Sequence, residues 1–348
     1  MKKKLSIKDL ARELNISATS VSFILNGKAR EKRISEELVR KVELYAEKTG
    51  YKPNSLARSL RTGKSNIIVL MVENISNPFF ANIARCIEDK AYRSGYKIIY
   101  CSTDNNAEKT RDLIRMYQDR HVDGYIITPP EGIEEEVNGL IAAGSPVVLF
   151  DRHLPGVKED FVSINNEEST YTATKHLLDR GYRQVALITL NSLQSQMQDR
   201  LNGYERALKE MKLPRHIKEL AYTADSSVLT RHITAFLKRH TELDAVIFST
   251  NYLGVSGIKA INATGRRIPD ELAVISFDDH DVFELNTPSI TAIAQPIEEI
   301  AEKLITTLLG KLDGKNQAHK PQDIVLPALL LVRNSTGFKK AMTKKRVR

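Results

Sequence analysis

The spacing of apolar side chains changes once along the chain, near residue 65. Before that point the period is helical. Ile7, Leu10, Ala11 and Leu14 stand at i, i+3, i+4 and i+7 behind Ser6, with Asp9 three residues on, which predicts a short capped helix. Asn15 tolerates the left-handed backbone of a tight turn, and Ile16 can fill the angle between two helices. Ser17 then caps a second helix with Ala18, Val21, Ile24 and Leu25 inward, stopped by Asn26-Gly27. This leaves Thr19, Ser20, Ser22, Phe23 and Asn26 facing outward. A third helix starts at Ser35 with Glu36 and Glu37 in its first turn, buries Leu38, Val42, Tyr45 and Ala46, and ends at Gly50.

Beyond Gly50, Asn54 can cap a short helix ending near Gly63, with Leu56 and Leu60 stacked at i and i+4. A helix this short is marginal alone, so the segment is either a plain linker or a hinge that folds on DNA. From Asn66 onward short β-branched runs alternate with helix-length segments. One series runs through Ile67–Val72, Lys97–Cys101, Gly124–Ile127 and Pro146–Phe150, and a second through Gln184–Thr189, Ala245–Ser249 and Leu272–Phe277. Alternation of this kind predicts an α/β fold of parallel βαβ units, and two series predict two doubly wound subdomains.

Charge sharpens the division. Residues 1–64 carry 16 Lys and Arg against 7 Asp and Glu, and the last ten residues carry 6 basic side chains and no acid, while the rest of the chain is net acidic. A positive field confined to the ends points to a polyanion, nucleic acid before a membrane surface. Two cysteines, Cys86 and Cys101, are too few for a disulfide framework and have no zinc-type spacing. The start, Met1-Lys2-Lys3-Lys4, opens no apolar signal-peptide core, and a cytoplasmic protein is expected.

Two helices joined by a four-residue turn can form a helix-turn-helix, whose second helix offers its outer side chains to base edges in the major groove. A small helical bundle of another kind has the same pattern. The short polar groups Thr19 and Ser20, flanked by basic residues, favour DNA.

In open parallel sheets ligands gather at the carboxyl ends of the strands. Those ends lead here into Asn77-Pro78-Phe79-Phe80, Asp151-Arg152, Asn191-Ser192, Thr250-Asn251 and Asp278-Asp279. Carboxylates and amides that accept from hydroxyls, beside an aromatic face, suit a sugar or nucleoside. Asp278-Asp279-His280-Asp281 is not expected to bind a metal, because consecutive side chains diverge. The chain has no G-x-G-x-x-G, P-loop, G-x-S-x-G or C-x-x-C and its histidines are scattered, so neither an enzyme nor a cofactor is expected.

The run Ser6-Ile7-Lys8-Asp9-Leu10-Ala11, then Ile16-Ser17, Val21-Ser22, Leu25-Asn26-Gly27, Gly50-Tyr51-Lys52-Pro53-Asn54 and Ala57-Arg58-Ser59-Leu60, resembles the head and hinge of the LacI/GalR family of bacterial transcription regulators. Asn77-Pro78-Phe79-Phe80-Ala81, Val122-Asp123-Gly124, Arg200-Leu201-Asn202-Gly203-Tyr204, Ile268-Pro269-Asp270-Glu271-Leu272, Phe277-Asp278-Asp279 and Gln295-Pro296 resemble its effector domain, which is similar to periplasmic sugar-binding proteins of type I. The resemblance implies a homodimer on a pseudo-palindromic operator. Ala18, Thr19 and Ser22 would stand at base-reading or backbone-contacting positions, with Ser6, Ser20, Phe23, Asn26, Asn54 and Ala57 around them, and Leu60 would be wedged into the minor groove. Phe23 stands where many members have Arg, so it either touches a thymine methyl or packs, and no operator sequence carries over.

The resemblance also implies an effector site of Phe79 as stacking residue, with Phe80 beside it, Asp151 and Asp278 as hydroxyl acceptors, Arg200 as a clamp, and Thr250, Asn251 and Gln295. Asn251 stands where the family often has Asp. The expected organisation is a head over 1–50, a hinge helix or linker over 51–64, an effector-binding and dimerisation domain over 65–338 and a basic disordered tail over 339–348. Within that domain, residues 65–164 and 294–322 would form one lobe and 165–293 and 323–338 the other. The expected function is a repressor of carbohydrate-utilisation genes responding to a sugar or sugar phosphate. The alternatives are a regulator responding to a purine or nucleoside, or an enzyme or solute-binding protein on the same two-lobed fold.

Overall fold

The computed structural model of the protein describes residues 5–51, 63–223, 225–314 and 320–339. It divides into a unit ending at Ser65 and a larger unit beginning at Asn66. The expected hinge helix with Asn54, Ala57 and Leu60 lies outside the described residues, as does the tail after Lys339. Lys339 itself is anchored rather than free: its backbone N–H donates to the Arg180 carbonyl at 2.9 Å and its ammonium meets Asp244 at 2.6 Å.

Among its described residues the first unit holds three helices, α1 (Ile7–Leu14), α2 (Ala18–Leu25) and α3 (Glu36–Thr49). Ser6 and Asp9 form a reciprocal capping box at α1, and Asn15 leaves the helix with φ +53°. Ser17 caps α2 through the Ser20 N–H, and Gly50 ends α3 in the left-handed conformation. Leu10, Ala11, Leu14, Val21, Ile24, Val42 and Ala46 form the buried core between them, with Ile16 packed against it.

The second unit has two six-stranded sheets. In the first, β1 (Ile67–Val72), β2 (Lys97–Ser102), β3 (Gly124–Ile127), β4 (Val147–Phe150), β5 (Phe161–Ile164) and β11 (Asp323–Leu326) are ordered β11-β5-β4-β3-β1-β2 and pair in parallel. In the second, β6 (Val185–Leu190), β7 (His216–Leu220), β8 (Ala245–Phe248), β9 (Ala273–Phe277), β10 (Thr291–Ala294) and β12 (Leu329–Leu331) are ordered β12-β10-β9-β8-β6-β7, with only β12 antiparallel. Apart from the direction of the edge strands β11 and β12, the two sheets have the same order, so β4 and β9 are equivalent strands in the two lobes.

One expected boundary is corrected. Residues 323–326 belong to the first lobe, because β11 adds to the open edge of β5 in register Asp323 with Phe161. The chain therefore crosses between lobes three times, at Asn165, at Gln295-Pro296 and at Pro327-Ala328. Asn165 joins the first and last crossings: its N–H donates to the Leu326 carbonyl at 3.0 Å and its Oδ1 accepts from the Ala328 N–H at 2.9 Å.

Helices Asn166–Asp179 and Ser195–Glu210 cross against each other at Gly203. A Cβ there would lie 2.1 Å from the Glu167 carbonyl oxygen and 2.9 Å from the Tyr171 nitrogen, both backbone atoms that cannot swing away. Gly203→Ala is therefore expected to destabilise the second unit by about 1–3 kcal/mol, read as a lowered urea or thermal midpoint. A midpoint equal to wild type would show that the helices separate freely.

His176 predicts a pH dependence. Arg180 Nη1, which can only donate, stands 3.0 Å from His176 Nδ1, and Nε2 stands 2.8 Å from Thr336 Oγ1, so the ring is held neutral with Nε2 protonated. Burial, then the Arg180 charge, lowers its pKa to about 4. The folded state thus binds fewer protons than the unfolded state between about pH 6.5 and about 4. Its contribution is present above pH ~6.5 and lost as pH falls through that window, up to about 3 kcal/mol. His176→Gln should flatten this part of the stability profile in urea titrations; an unchanged profile counts against it.

Candidate functional site

In the first unit, α2 presents Thr19 exposed and Ala18, Ser20, Phe23 and Asn26 half-buried. Ser6 is exposed, but its N–H and hydroxyl both donate to Asp9 Oδ2. Ser22 does not face outward as expected: it is 7% exposed. Ala18, Val21, Ser22 and Leu25 are themselves an i, i+3, i+4, i+7 set, so Ser22 falls on the inner stripe. Asn26 covers it, donating to the Ser22 carbonyl at 2.6 Å. Phe23 carries the Lys32 ammonium 5.5 Å from its ring centroid, so a cation stands over the side chain that replaces the usual Arg.

In the second unit, the carboxyl ends of the strands from both lobes enclose one polar cavity of about 30 Å³. Of the expected effector residues, Phe79, Phe80, Asp151, Arg200, Thr250, Asp278 and Gln295 line it. Phe79 and Phe80 also belong to the core, stacked edge to face with centroids 4.9 Å apart, and Phe80 continues onto Phe150. Thr250 is occupied as the cap of helix Asn251–Thr264. Asn251 lines not this cavity but an adjoining chamber, and its amide donates to Asn77 Oδ1 at 2.7 Å across the cleft. A second bond between lobes runs from the His153 N–H to Ser195 Oγ at 2.8 Å.

Asp151 and Asp278 follow the equivalent strands β4 and β9, and both adopt the left-handed backbone, φ +68° and +61°. Such a kink at a strand end turns the carboxylate toward the cleft, a conformation that Asp and Asn tolerate better than most residues. Burial pushes both carboxyls above the ordinary range; Arg152 and Arg200 oppose this at Asp151, and Arg200 and Gln295 oppose it at Asp278. Gln295 Nε2 donates to Asp278 Oδ1 at 2.6 Å. Arg200, 2% exposed, is locked by Asn166 Oδ1 at 2.9 Å and the Ser249 carbonyl at 2.6 Å, and its guanidinium carbon lies 3.5 Å from the Phe277 ring centroid. Burial lowers its pKa, opposed by Asp278 and Asp151.

The sequence reading missed several lining residues. Glu73, directly after β1, bonds Arg152, which also donates to Asn105. Burial works against the Arg152 charge, but Glu73 and Asp151 carry the net shift upward. A charge at the end of an otherwise apolar strand was the available signal for Glu73. Gln196 also lines the cavity and keeps a buried side-chain oxygen with no hydrogen-bond partner among the described residues. Tyr222 and Tyr252, paired edge to face at 6.3 Å, line the adjoining chamber of about 250 Å³ with Leu229 and Val255. Tyr222 follows β7, a strand that the apolar pattern did not reveal.

Comparison with known proteins agrees with this arrangement. Residues 6–54 match the bacterial regulatory proteins of the lacI family, and residues 174–336 match the periplasmic binding protein-like domain. The chain is 30% identical over 336 residues to the HTH-type transcriptional repressor PurR of Vibrio parahaemolyticus, covering 95% of this chain and 98% of that protein. It is also 30% identical over 340 residues to the ribose operon repressor of Halalkalibacterium halodurans, covering 95% and 97%. A periplasmic binding protein/LacI transcriptional regulator from Alkaliphilus metalliredigens, complexed with D-xylulofuranose, superposes with TM-score 0.71 at 27% identity over 78% of this chain and 99% of that one. The lac repressor dimer bound to operator shares the fold with TM-score 0.82 at 20% identity, over 96% and 100%. No helix among the described residues is long and apolar enough to cross a membrane. The relatives are repressors and not enzymes, and the chain belongs to the lacI family of bacterial regulatory proteins as a ligand-responsive, sequence-specific DNA-binding repressor.

Proposed function

We propose that this repressor acts in the cytoplasm as a homodimer on a pseudo-palindromic operator and responds to a neutral sugar held between its two lobes. One α2 reads one half-site, so a two-fold site takes two chains. Thr19, the most open residue of α2, with Ala18 and Phe23 beside it, approaches the base edges. Ser6, Ser20 and Asn26 lie toward the backbone, and Asn54, Ala57 and Leu60 supply the minor-groove contact. Ser22 is not among the reading residues, since it is covered by Asn26. Effector and operator then bias each other's affinity by the same factor.

The observation that carries the sugar reading is the pair of equivalent aspartates, Asp151 and Asp278, both coupled to Arg200. Two carboxylates and the Gln196 oxygen, which has no partner among the described residues, offer acceptors to hydroxyl donors, and Phe79 offers an apolar wall. The cavity is lined by three carboxylates, Glu73, Asp151 and Asp278, against two guanidiniums, Arg152 and Arg200. That excess of negative charge disfavours a phosphorylated sugar. The D-xylulofuranose complex of the Alkaliphilus protein and the bound ribose of an Enterococcus faecium regulator of 26% identity support the same class. A cavity of about 30 Å³ holds little more than one water, so the lobes must part to admit the sugar. The adjoining chamber with Tyr222 and Tyr252 favours a second reading, a nucleoside whose base enters there.

Binding to fragments upstream of the protein's own gene should be specific and should weaken roughly a thousandfold or more between about 50 and about 200 mM salt. Binding that ignores salt would remove the operator reading. In a thermal-shift panel of free sugars, sugar phosphates and nucleosides, the true effector at about 100 times its Kd adds ~2.7 kcal/mol. Asp151→Asn keeps the left-handed backbone but loses a charged acceptor, costing about 1.5–3 kcal/mol, roughly ten- to hundredfold in effector affinity. Stabilisation by nucleosides alone, or by sugar phosphates alone, sinks the neutral-sugar assignment.

A further inference from the structure

At the edge of the second lobe opposite the cleft, three side chains suited to a metal converge. His216 opens β7 and pairs in register with Ala186 near the start of β6, so it lies at the amino-terminal ends of strands whose carboxyl ends face the effector cavity. His240 closes helix Ser226–Arg239, and Glu242 follows two residues later. One ring nitrogen of each histidine and one Glu242 oxygen all lie within 4.8 Å of one another.

The supports of this cluster are rigid. The His216 N–H donates to the hydroxyl of fully buried Tyr204 at 2.9 Å, and that hydroxyl stands 3.3 Å from the His216 carbonyl oxygen. His216 Nε2 meets Gln184 Oε1 at 2.9 Å; an amide oxygen only accepts, so Nε2 carries the proton and Nδ1 keeps a lone pair. This is the outer-layer hydrogen bond that fixes the tautomer of a metal-binding imidazole. The His240 ring packs on Phe236 with centroids 4.6 Å apart, and its Nδ1 stands 2.9 Å from Glu242 Oε1. That hydrogen bond already brings two of the ligand atoms together, and an ion would take the place of its proton.

We propose that His216, His240 and Glu242 bind a late first-row divalent cation such as Zn²⁺, with water completing the coordination. Two imidazoles and one carboxylate suit such an ion, whereas Mg²⁺ and Ca²⁺ select all-oxygen sites. The ion would join the start of β7 to the loop after helix Ser226–Arg239. β7 is the edge strand of its sheet, and its other end leads to Tyr222 in the chamber beside the effector cavity, so the ion fastens this strand from the far side. Sequence spacing hides the site because its ligands come from separate elements.

Calorimetry and thermal shift of the full chain with zinc chloride, and magnesium chloride as control, test this. One saturable zinc site is expected that raises the thermal midpoint, with no effect of magnesium. Glu242→Gln and His240→Gln should each weaken it about tenfold or more while the metal-free midpoint stays at the wild-type value. Glu242 is exposed, so its variant decides alone if His240→Gln does not fold. No saturable binding, or wild-type affinity in the variants, overturns the site and would assign any zinc uptake to Cys86, Cys101 or other histidines.

Discussion

The second unit depends on keeping five ionisable side chains out of water at one place. Glu73, Asp151 and Arg152 come from the first lobe and Arg200 and Asp278 from the second. None of these charges could be buried alone; each is tolerated because a partner of opposite sign, or a fixed amide or carbonyl, faces it. Removing one partner from such a set typically costs about 3–5 kcal/mol, because the other charge is left uncompensated. The need to face these groups inward explains the left-handed turns after β4 and β9, the stacking of Arg200 on Phe277 and the crossing of the chain at Gln295.

The head works on a different economy of scale. Its core is seven buried side chains around three helices, and its helix ends are closed by short polar residues, Ser6, Ser17 and Ser35. These caps were plain in the sequence because they are local: an oxygen and an N–H three residues away. Base reading is not local. Phe23 was recognised as a departure, but only the folded structure brings Lys32 over its ring, from the loop between α2 and α3.

The architecture was largely legible where strands are buried on both faces. Ile67–Val72 and Gly124–Ile127 read as uninterrupted apolar runs and match β1 and β3 to the residue. Of the strands that escaped notice, β7, β11 and β12 lie at sheet edges and carry Lys218, Glu219 and Asp323 or are very short, whereas β5 and β10 are interior strands of only four residues. A half-covered edge needs fewer apolar residues, so its pattern fades into that of a loop. The same blindness cost Tyr222, since a ligand residue at a strand end is found only if the strand is. Asp151 and Asp278 were legible because strand ends and family pattern coincide, and Arg200 and Gln295 from the family pattern alone. Glu73 and Gln196 were not: the partners of Glu73, Asn105 and Arg152, stand 32 and 79 residues away in the chain, and Gln196 has no motif around it.

The three passages between lobes lie side by side. β5 neighbours β11 in one sheet, β10 neighbours β12 in the other, and Asn165 ties the first passage to the third. Two ropes let the bodies they join swivel freely about each other; a flat strap of three resists twisting and leaves mainly bending. A molecule entering the cleft can therefore express its binding along essentially one coordinate, so compounds of different shape would differ in how far they drive the strap, not in which way.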